Sequence, residues 1–323
     1  MNIRALAPAI LGSRTAGMDA SMTHASSVIS ASSSRRGSRP AAATACARTI
    51  RFARRASAFA AFVILAVGVS GCNKLKARDL LNKGVAAFKN AQYDAAIENF
   101  KQAKDLDPGL MNARLYLATA YASQYIPGAP SEQNVRLGNQ AVEEFKEVLR
   151  LDPNNVSAID GIGSILFQMA GTPYDPKKFE ESKSYHQKHI ELKPTDPEPY
   201  YWIGVIDWTL AFRANGELRA AYNREHVNKQ VKDTDPLPAA LRSEYASKYG
   251  SLVDEGISNL QKALQQKPDY DDAMAYLNLL YRRKADMVES AEERASLLKQ
   301  ADDLVDKVKE IKQKRAEQPQ PAN

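Results

Sequence analysis

The spacing of small, aromatic and proline residues between Ala77 and Leu110 constrains this chain more than any other feature. Gly84, Phe88, Tyr93, Ala96, Phe100, Ala103 and Pro108 follow one another at offsets of 4, 5, 3, 4, 3 and 5. Offsets of this kind put small residues where two helices must touch and large ones where they interlock. Gly84 and Ala96 let the helix backbones approach, while Tyr93, Phe100 and Leu106 fill the space around that contact. Pro108 lacks an N–H and cannot continue the second helix, so it marks the turn into a further unit.

Closing prolines recur at Pro153, Pro194 and Pro268, at steps of 45, 41 and 74 residues. The pattern resembles the tetratricopeptide repeat, a helix-turn-helix of about 34 residues, and the match is strong in the first unit. Phased from the prolines, a second unit offers Leu117, Ala118 and Tyr121, then Ala141, Phe145 and Leu149. A third has Ile162, Gly163 and Leu166, then Phe179, Ser182 and His186. A fourth has Ile203, Gly204 and Asp207, then Val253, Gly256, Leu260 and Ala263, and a fifth opens with Ala273, Leu277 and Tyr281. The resemblance implies an all-α fold, an α-solenoid of about five such units over residues 77–315.

Against a 34-residue period, units two, three and four carry insertions of about 11, 7 and 40 residues. They map near 122–138, 170–177 and 211–248. In the last, 217–228 and 239–249 read as helices around a loop at 232–238, and insertions of this size often carry function in repeat proteins. Ser290 and Glu293 have the spacing of a capping box and start a final helix. Its apolar positions Leu297, Leu298, Ala301, Leu304, Val305, Val308 and Ile311 form one stripe, as the capping end of a solenoid requires. The polar, proline-bearing tail at 316–323 is expected to be disordered.

Ahead of the repeats, Arg48, Arg51, Arg54 and Arg55 precede an uncharged apolar run from Ala56 to Val69, which closes on Val69-Ser70-Gly71-Cys72. A basic flank, a short apolar stretch and a small-residue cleavage site are the parts of an export signal. The arrangement resembles the lipobox of bacterial lipoproteins. That resemblance implies a signal peptide over 48–71, lipidation of Cys72, and an anchor with a short linker at 72–76. It also implies a bacterial envelope protein facing the periplasm, and Asn73, in place of the aspartate tied to inner-membrane retention, points to the outer membrane. Two other readings stay open: an apolar segment ending in a buried cysteine, and an organellar transit peptide, which the Ser-, Ala- and Arg-rich start also fits. Residues 1–47 read as a disordered or upstream-translated segment outside the fold.

Removing the leader changes what the charge means. Residues 1–72 hold nine of the 44 basic and one of the 38 acidic residues, so the remainder carries 35 against 37, a net of −2. The overall +6 is therefore no sign of nucleic-acid binding. Cys46 and Cys72 are the only cysteines, both assigned to the leader and anchor, which excludes a thiol nucleophile, a cysteine-ligated zinc and an iron–sulfur cluster.

Chemistry-bearing groups are few. His186 and His189 share a helical face but stand where the first unit has Phe100 and Ala103, so packing is the plainer reading than metal binding. Asp207, between Trp202 and Trp208, needs a donor or a raised pKa, and Arg213 or Arg219 of the insertion is the expected partner. A phosphate-binding glycine loop, a Gly-x-Ser-x-Gly elbow and a His-Glu-x-x-His helix do not occur in the sequence. The chain thus reads as non-catalytic, without cofactor or metal.

In tetratricopeptide arrays the first helix of each unit lines the binding groove. Carried over by offset, this implies a groove of Tyr116, Asp160, Phe167, Tyr201, Trp208, Tyr276, Arg282 and Arg283, rich in hot-spot residue types. For Tyr201 and Trp208, packing beneath the large insertion is an equal alternative. Leu81 and Val85 occupy positions where some relatives carry a Lys/Asn carboxylate clamp, so a chaperone-tail clamp is not expected. The implied role is a membrane-anchored scaffold binding envelope proteins or peptides. The alternative is an envelope enzyme or small-molecule binder using 211–248 and Asp207.

Overall fold

The computed structural model describes residues 72–317. The chain divides into two compact units, 1–76 and 77–323. The expected leader at 1–47, the signal at 48–71 and the end of the tail at 318–323 lie outside the described residues. The first described stretch is helical from Cys72, which corrects the expected linker at 72–76.

Ten helices and no strand occur among the described residues: α1 (72–89), α2 (Tyr93–Leu106), α3 (Met111–Gln124), α4 (Glu132–Leu151), α5 (Val156–Ala170), α6 (Pro176–Leu192), α7 (Pro197–Glu225), α8 (Ala239–Gln266), α9 (Asp271–Ala285) and α10 (Ala291–Glu317). They pair as α1–α2, α3–α4, α5–α6, α7–α8 and α9–α10. Each helix from α2 onward packs on the next, and the first helices of neighbouring units also meet, α3 with α5 and α7 with α9. This is the five-unit α-solenoid that the proline phasing implies.

Local chemistry sets the ends. α2, α4, α6 and α8 finish at Leu106, Leu151, Leu192 and Gln266, and in each case the closing proline stands two residues on, at 108, 153, 194 and 268. Proline there blocks another turn. At the starts, the Ser131, Asn155, Asp175 and Asp196 side chains accept from backbone N–H groups of the first turn, and Pro176 and Pro197 take the first helical position, where no N–H is needed. Ser290 Oγ accepts from Glu293 N at 3.2 Å, as the capping-box reading requires, but the glutamate that returns to Ser290 is Glu292.

Packing within the first, third and fourth pairs repeats one device. A Cβ added at Gly84 would meet the ring of fully buried Phe100, one at Gly163 would meet the His186 ring at 2.8 Å, and one at Gly204 would meet Leu260. Burying a side chain the size of Phe100 stabilises by about 1.5–3 kcal/mol. Two larger cores follow, one around Phe100, Leu117, Phe145 and Ile162 in units one to three, the other around Tyr201, Tyr245, Leu260 and Leu280 in units four and five. α10 buries only Ala301 fully, as a terminal helix with one neighbour does.

The three insertions take a plainer form than the spacing implies. The first two shrink to connections at 125–131 and 171–175, with the extra residues absorbed into helix length. The third is no separate element before its loop: α7 continues without interruption to Glu225, and α8 begins at Ala239. Unit four is therefore one elongated hairpin of 29- and 28-residue helices. Residues 316 and 317, expected in the tail, extend α10.

Candidate functional site

α7 presents one continuous stripe to α9. Tyr201, Val205, Trp208, Phe212, Asn215 and Arg219 follow at steps of four and three, and they face Tyr276, Arg283 and Asp286. Tyr201 is 4% exposed, in ring contact with Tyr270 at 5.0 Å and Tyr276 at 5.8 Å. Tyr276 then meets Trp208 edge-on at 5.2 Å, and Trp208 stacks on Phe212 at 5.2 Å. Phe212 is 49% exposed, and Trp208 and Tyr276 are half-buried. Trp202, Phe167 and Phe179 extend the ring contacts onto α5 and α6.

Two of the groove residues expected from sequence are therefore centred on this seam as half-exposed rings, Trp208 and Tyr276. Tyr201 is a correction: it lies under them as core and offers a partner almost no surface. Phe167 packs between Phe179 and Trp202. Arg283 sits at the far end of the seam, 5.9 Å from the Phe212 ring and bonded to Asn215 Oδ1 at 2.7 Å. Arg282 turns instead to Asp302 on α10, and Tyr116 stacks on Phe100 at 5.8 Å, away in unit two. Asp160 reaches His189 on α6 at 2.7 Å. Phe212 was missed by sequence reasoning, though it follows Trp208 by one helical turn and becomes visible once α7 is read as continuous.

Asp207 is fully buried, and its partner corrects the expectation of an insertion arginine. Lys183 Nζ from α6 donates to Asp207 Oδ1 at 2.8 Å and reaches Glu255 Oε2 on α8 at 2.9 Å. Burial pushes the Asp207 carboxyl up to about 7, against the pull of Lys183, and Oδ2 has no hydrogen-bond partner. Burial alone would lower Lys183, but its two carboxylates outweigh it and raise the ammonium pKa. The triad ties α6, α7 and α8 together, and a Cβ added at Gly256 of α8 would meet Asp207 at 2.9 Å. Arg213 pairs with Glu217 at 2.8 Å and lies 3.8 Å over the Tyr174 ring.

Arg219 forms a second polar centre, which the sequence did not show. It is 3% exposed and donates to Asn215 Oδ1, to the carbonyls of Lys232 and Asp235, and to Asp286 Oδ1 at 3.2 Å. Asp286 also meets Asn215 Nδ2 and Arg283. This lock fastens the 226–238 loop and the end of α9 to α7. Burial raises the Asp286 pKa, and Arg283 and Arg219 oppose it.

The two histidines diverge. His186 stacks on Trp202 at 6.0 Å with both ring nitrogens unpartnered, and burial lowers its pKa to about 3, followed by the nearby His189 charge. His189 lies between Asp160 and Asp196, the latter 3.5 Å from Nε2. Among the described residues no three His, Cys, Asp or Glu side chains gather as a metal-ligand set, and no helix is long and apolar enough to cross a membrane. Shallow depressions of about 250 and 270 Å³ lie by Tyr121 and Glu144 and by Leu277 and Leu304, neither touching Asp207.

Small-for-large pairing inside three of the hairpins, closing prolines and stacked units define a tetratricopeptide-like α-solenoid. The tetratricopeptide repeat family model matches residues 80–110, the first unit. No curated protein matches the chain. Among solved structures, a MamA protein is similar at 17% identity, covering 77% of this chain and 98% of that one, with a TM-score of 0.49. MamA from Desulfovibrio magneticus RS-1, from its residue 41 onward, is similar at 17% identity, with coverages of 76% and 98% and a TM-score of 0.48. YrrB, described as a TPR protein with an unusual peptide-binding site, is similar at 15% identity, with coverages of 72% and 90% and a TM-score of 0.44.

Proposed function

We propose that this chain is a non-catalytic protein-interaction scaffold of the cell envelope, held at the membrane through acylated Cys72. The observation that carries the binding role is the half-exposed Trp208–Phe212–Tyr276 cluster on the α7–α9 seam. Aromatic side chains seated on a rigid helical base are costly to leave in water and lose little entropy on binding, so they suit a partner-contact surface. Tyr201 beneath them and the Arg219 lock beside them hold the rings in place. Asp207 has the chemistry of a structural ion pair: its carboxyl is enclosed by Lys183 and packed helices, where a substrate atom has no access. The sulfur of Cys72 is exposed, which supports its use as an attachment point.

Crosslinking followed by pull-down from membranes of the native cell, comparing wild type with Trp208→Ala/Phe212→Ala, tests the surface. Loss of specific partners is expected, and an unchanged partner set would remove the seam as the contact. Cys72→Ser should move the protein from the membrane to the soluble fraction. Retention at the membrane would remove the lipid-anchor reading.

A further inference from the structure

We infer that residues 318–323, which carry Pro319 and Pro321, turn back from the end of α10 and cover the Tyr276–Trp208 end of the α7–α9 seam, in competition with the partner. This rests on the scaffold reading and adds a regulation of the same surface.

The point from which that segment starts is fixed. α10 runs back along α9: Asp302 near its middle pairs with Arg282, and Arg315 near its end donates to Asp271 Oδ1 and to the Asp269 carbonyl, each at 2.8 Å. Asp272, the next residue of α9, is exposed one turn before Tyr276. Its charge acts in both directions. It follows burial in raising the pKa of the Tyr276 hydroxyl, and it adds to the bond and charge of Asp271 and the charge of Asp269 in raising that of Arg315. The end of α10 therefore lies beside the end of the seam that Tyr276 occupies.

Reach and chemistry agree with this occupant. From Asp271 to Tyr276 is about 7.5 Å along α9, and crossing the helix adds about 10 Å sideways, a path of about 12–13 Å. A polyproline-type chain advances about 3.1 Å per residue, which carries Pro321 about 12 Å and Asn323 about 19 Å beyond Glu317. The segment thus spans Tyr276 and Trp208 and stops short of Phe212. Proline favours the extended backbone that aromatic-lined grooves accept, and Tyr276 and Trp208, half-buried and meeting at 5.2 Å and 72°, form an apolar corner of that kind. Residues 318–323 carry no charged side chain, so the contact needs none of the ionic groups nearby, where Asp271 is held by Arg315 and Arg283 by Asn215 and Asp286. Its link to α10 keeps the segment at an effective concentration of about 1 mM, so a contact with a dissociation constant of about 1 mM covers the corner about half the time.

The test compares the full chain with one ending at Glu317, which keeps every described helix. Trp202 and Trp208 are the chain's only tryptophans, so acrylamide quenching of their fluorescence, with Trp208→Phe chains as the blank, isolates Trp208. In the shortened chain Trp208 should be quenched about twofold more readily, at low and high salt alike. Pro319→Ala/Pro321→Ala in the full chain should give most of the same change, and a peptide of residues 316–323 at about 5 mM should reverse it in the shortened chain. Equal quenching of the two lengths, or a difference that survives Trp208→Phe, overturns the inference. A difference that grows with protein concentration assigns the cover to a second copy and overturns the intrachain contact. Crosslinking in the native cell separates this from the scaffold reading: the shortened chain should recover about twofold more partner. Recovery that Trp208→Ala/Phe212→Ala abolishes and shortening leaves unchanged removes the tail from the seam and keeps the scaffold.

Discussion

Replacing Asp207 by asparagine isolates the energetics of the buried triad. The side chains are nearly the same size, and the amide oxygen can still accept from Lys183, so the change removes a titration more than a shape. Asp207 ionises near 7 in the fold against 3.8 as a free side chain. Below pH 4 both states hold the proton. As pH rises toward 7 the unfolded chain releases it while the folded one keeps it, so folding loses stability by up to about 1.4 kcal/mol per pH unit. Summed over the shift, the penalty carried by the wild type reaches ~4 kcal/mol by pH 7 and then levels off. The charges facing Asp207 are Lys183 and Glu180 from α6 and Glu255 from α8, and all three remain in the variant.

Asp207→Asn should therefore gain on the wild type steadily between pH 4 and 7 and hold a constant lead above that. Urea unfolding followed by circular dichroism at several pH values measures the difference, and hydrogen exchange within α7 checks that the affected unit reports it, since repeat arrays need not unfold in one step. A pH-independent difference, or a wild type that gains on the variant as pH rises, would refute the reasoning and mean that Lys183 holds the carboxylate charged throughout.

Three further outcomes follow from packing and polar contacts. Gly84→Ala drives a Cβ into the Phe100 ring and should cost about 1–3 kcal/mol in chemical denaturation, with the loss concentrated in the first unit. His186 carries a pKa lowered to about 3 from 6.5, so the wild type keeps this residue's contribution above pH 6.5 and loses it as pH falls toward 3; His186→Phe should flatten that acid loss in a melting-temperature series. Arg219→Met leaves Asp286 short of a buried partner and frees the carbonyls of Lys232 and Asp235. It should cost about 3–5 kcal/mol and open the 226–238 loop to trypsin at Lys229 and Lys232 before the rest of the chain is cut.

The repeat framework was legible because its signals are local. Gly84 with Phe100, and a proline two residues past each second helix, are readable without any long-range contact. What sequence could not supply was pairing across units. Lys183 sits in a polar run, Lys183-Ser184-Tyr185-His186-Gln187-Lys188, and reads as surface until α7 and α8 close over it. Asn215-Gly216 has the local form of a turn, yet Asn215 is bonded to Arg219, Arg283 and Asp286 and the helix runs through it. Tyr201 was placed on the groove by offset. Offset alone carries no information on depth, and Tyr270 and Tyr276 cover Tyr201.

The Arg219–Asp286 lock also sets the order in which the array can come apart. In a solenoid each unit normally holds its neighbour through one shared face, so fraying can proceed a unit at a time from either end. Here bonds spanning 67 and 71 residues tie the C-terminal half of α7 to Asp286, at the end of α9 where the chain turns into α10. The C-terminal end is thereby denied an independent melting step: α9 cannot leave without stripping a buried charge from α7. Units four and five form a single cooperative block, and the end free to breathe is the other one, where the first hairpin stands.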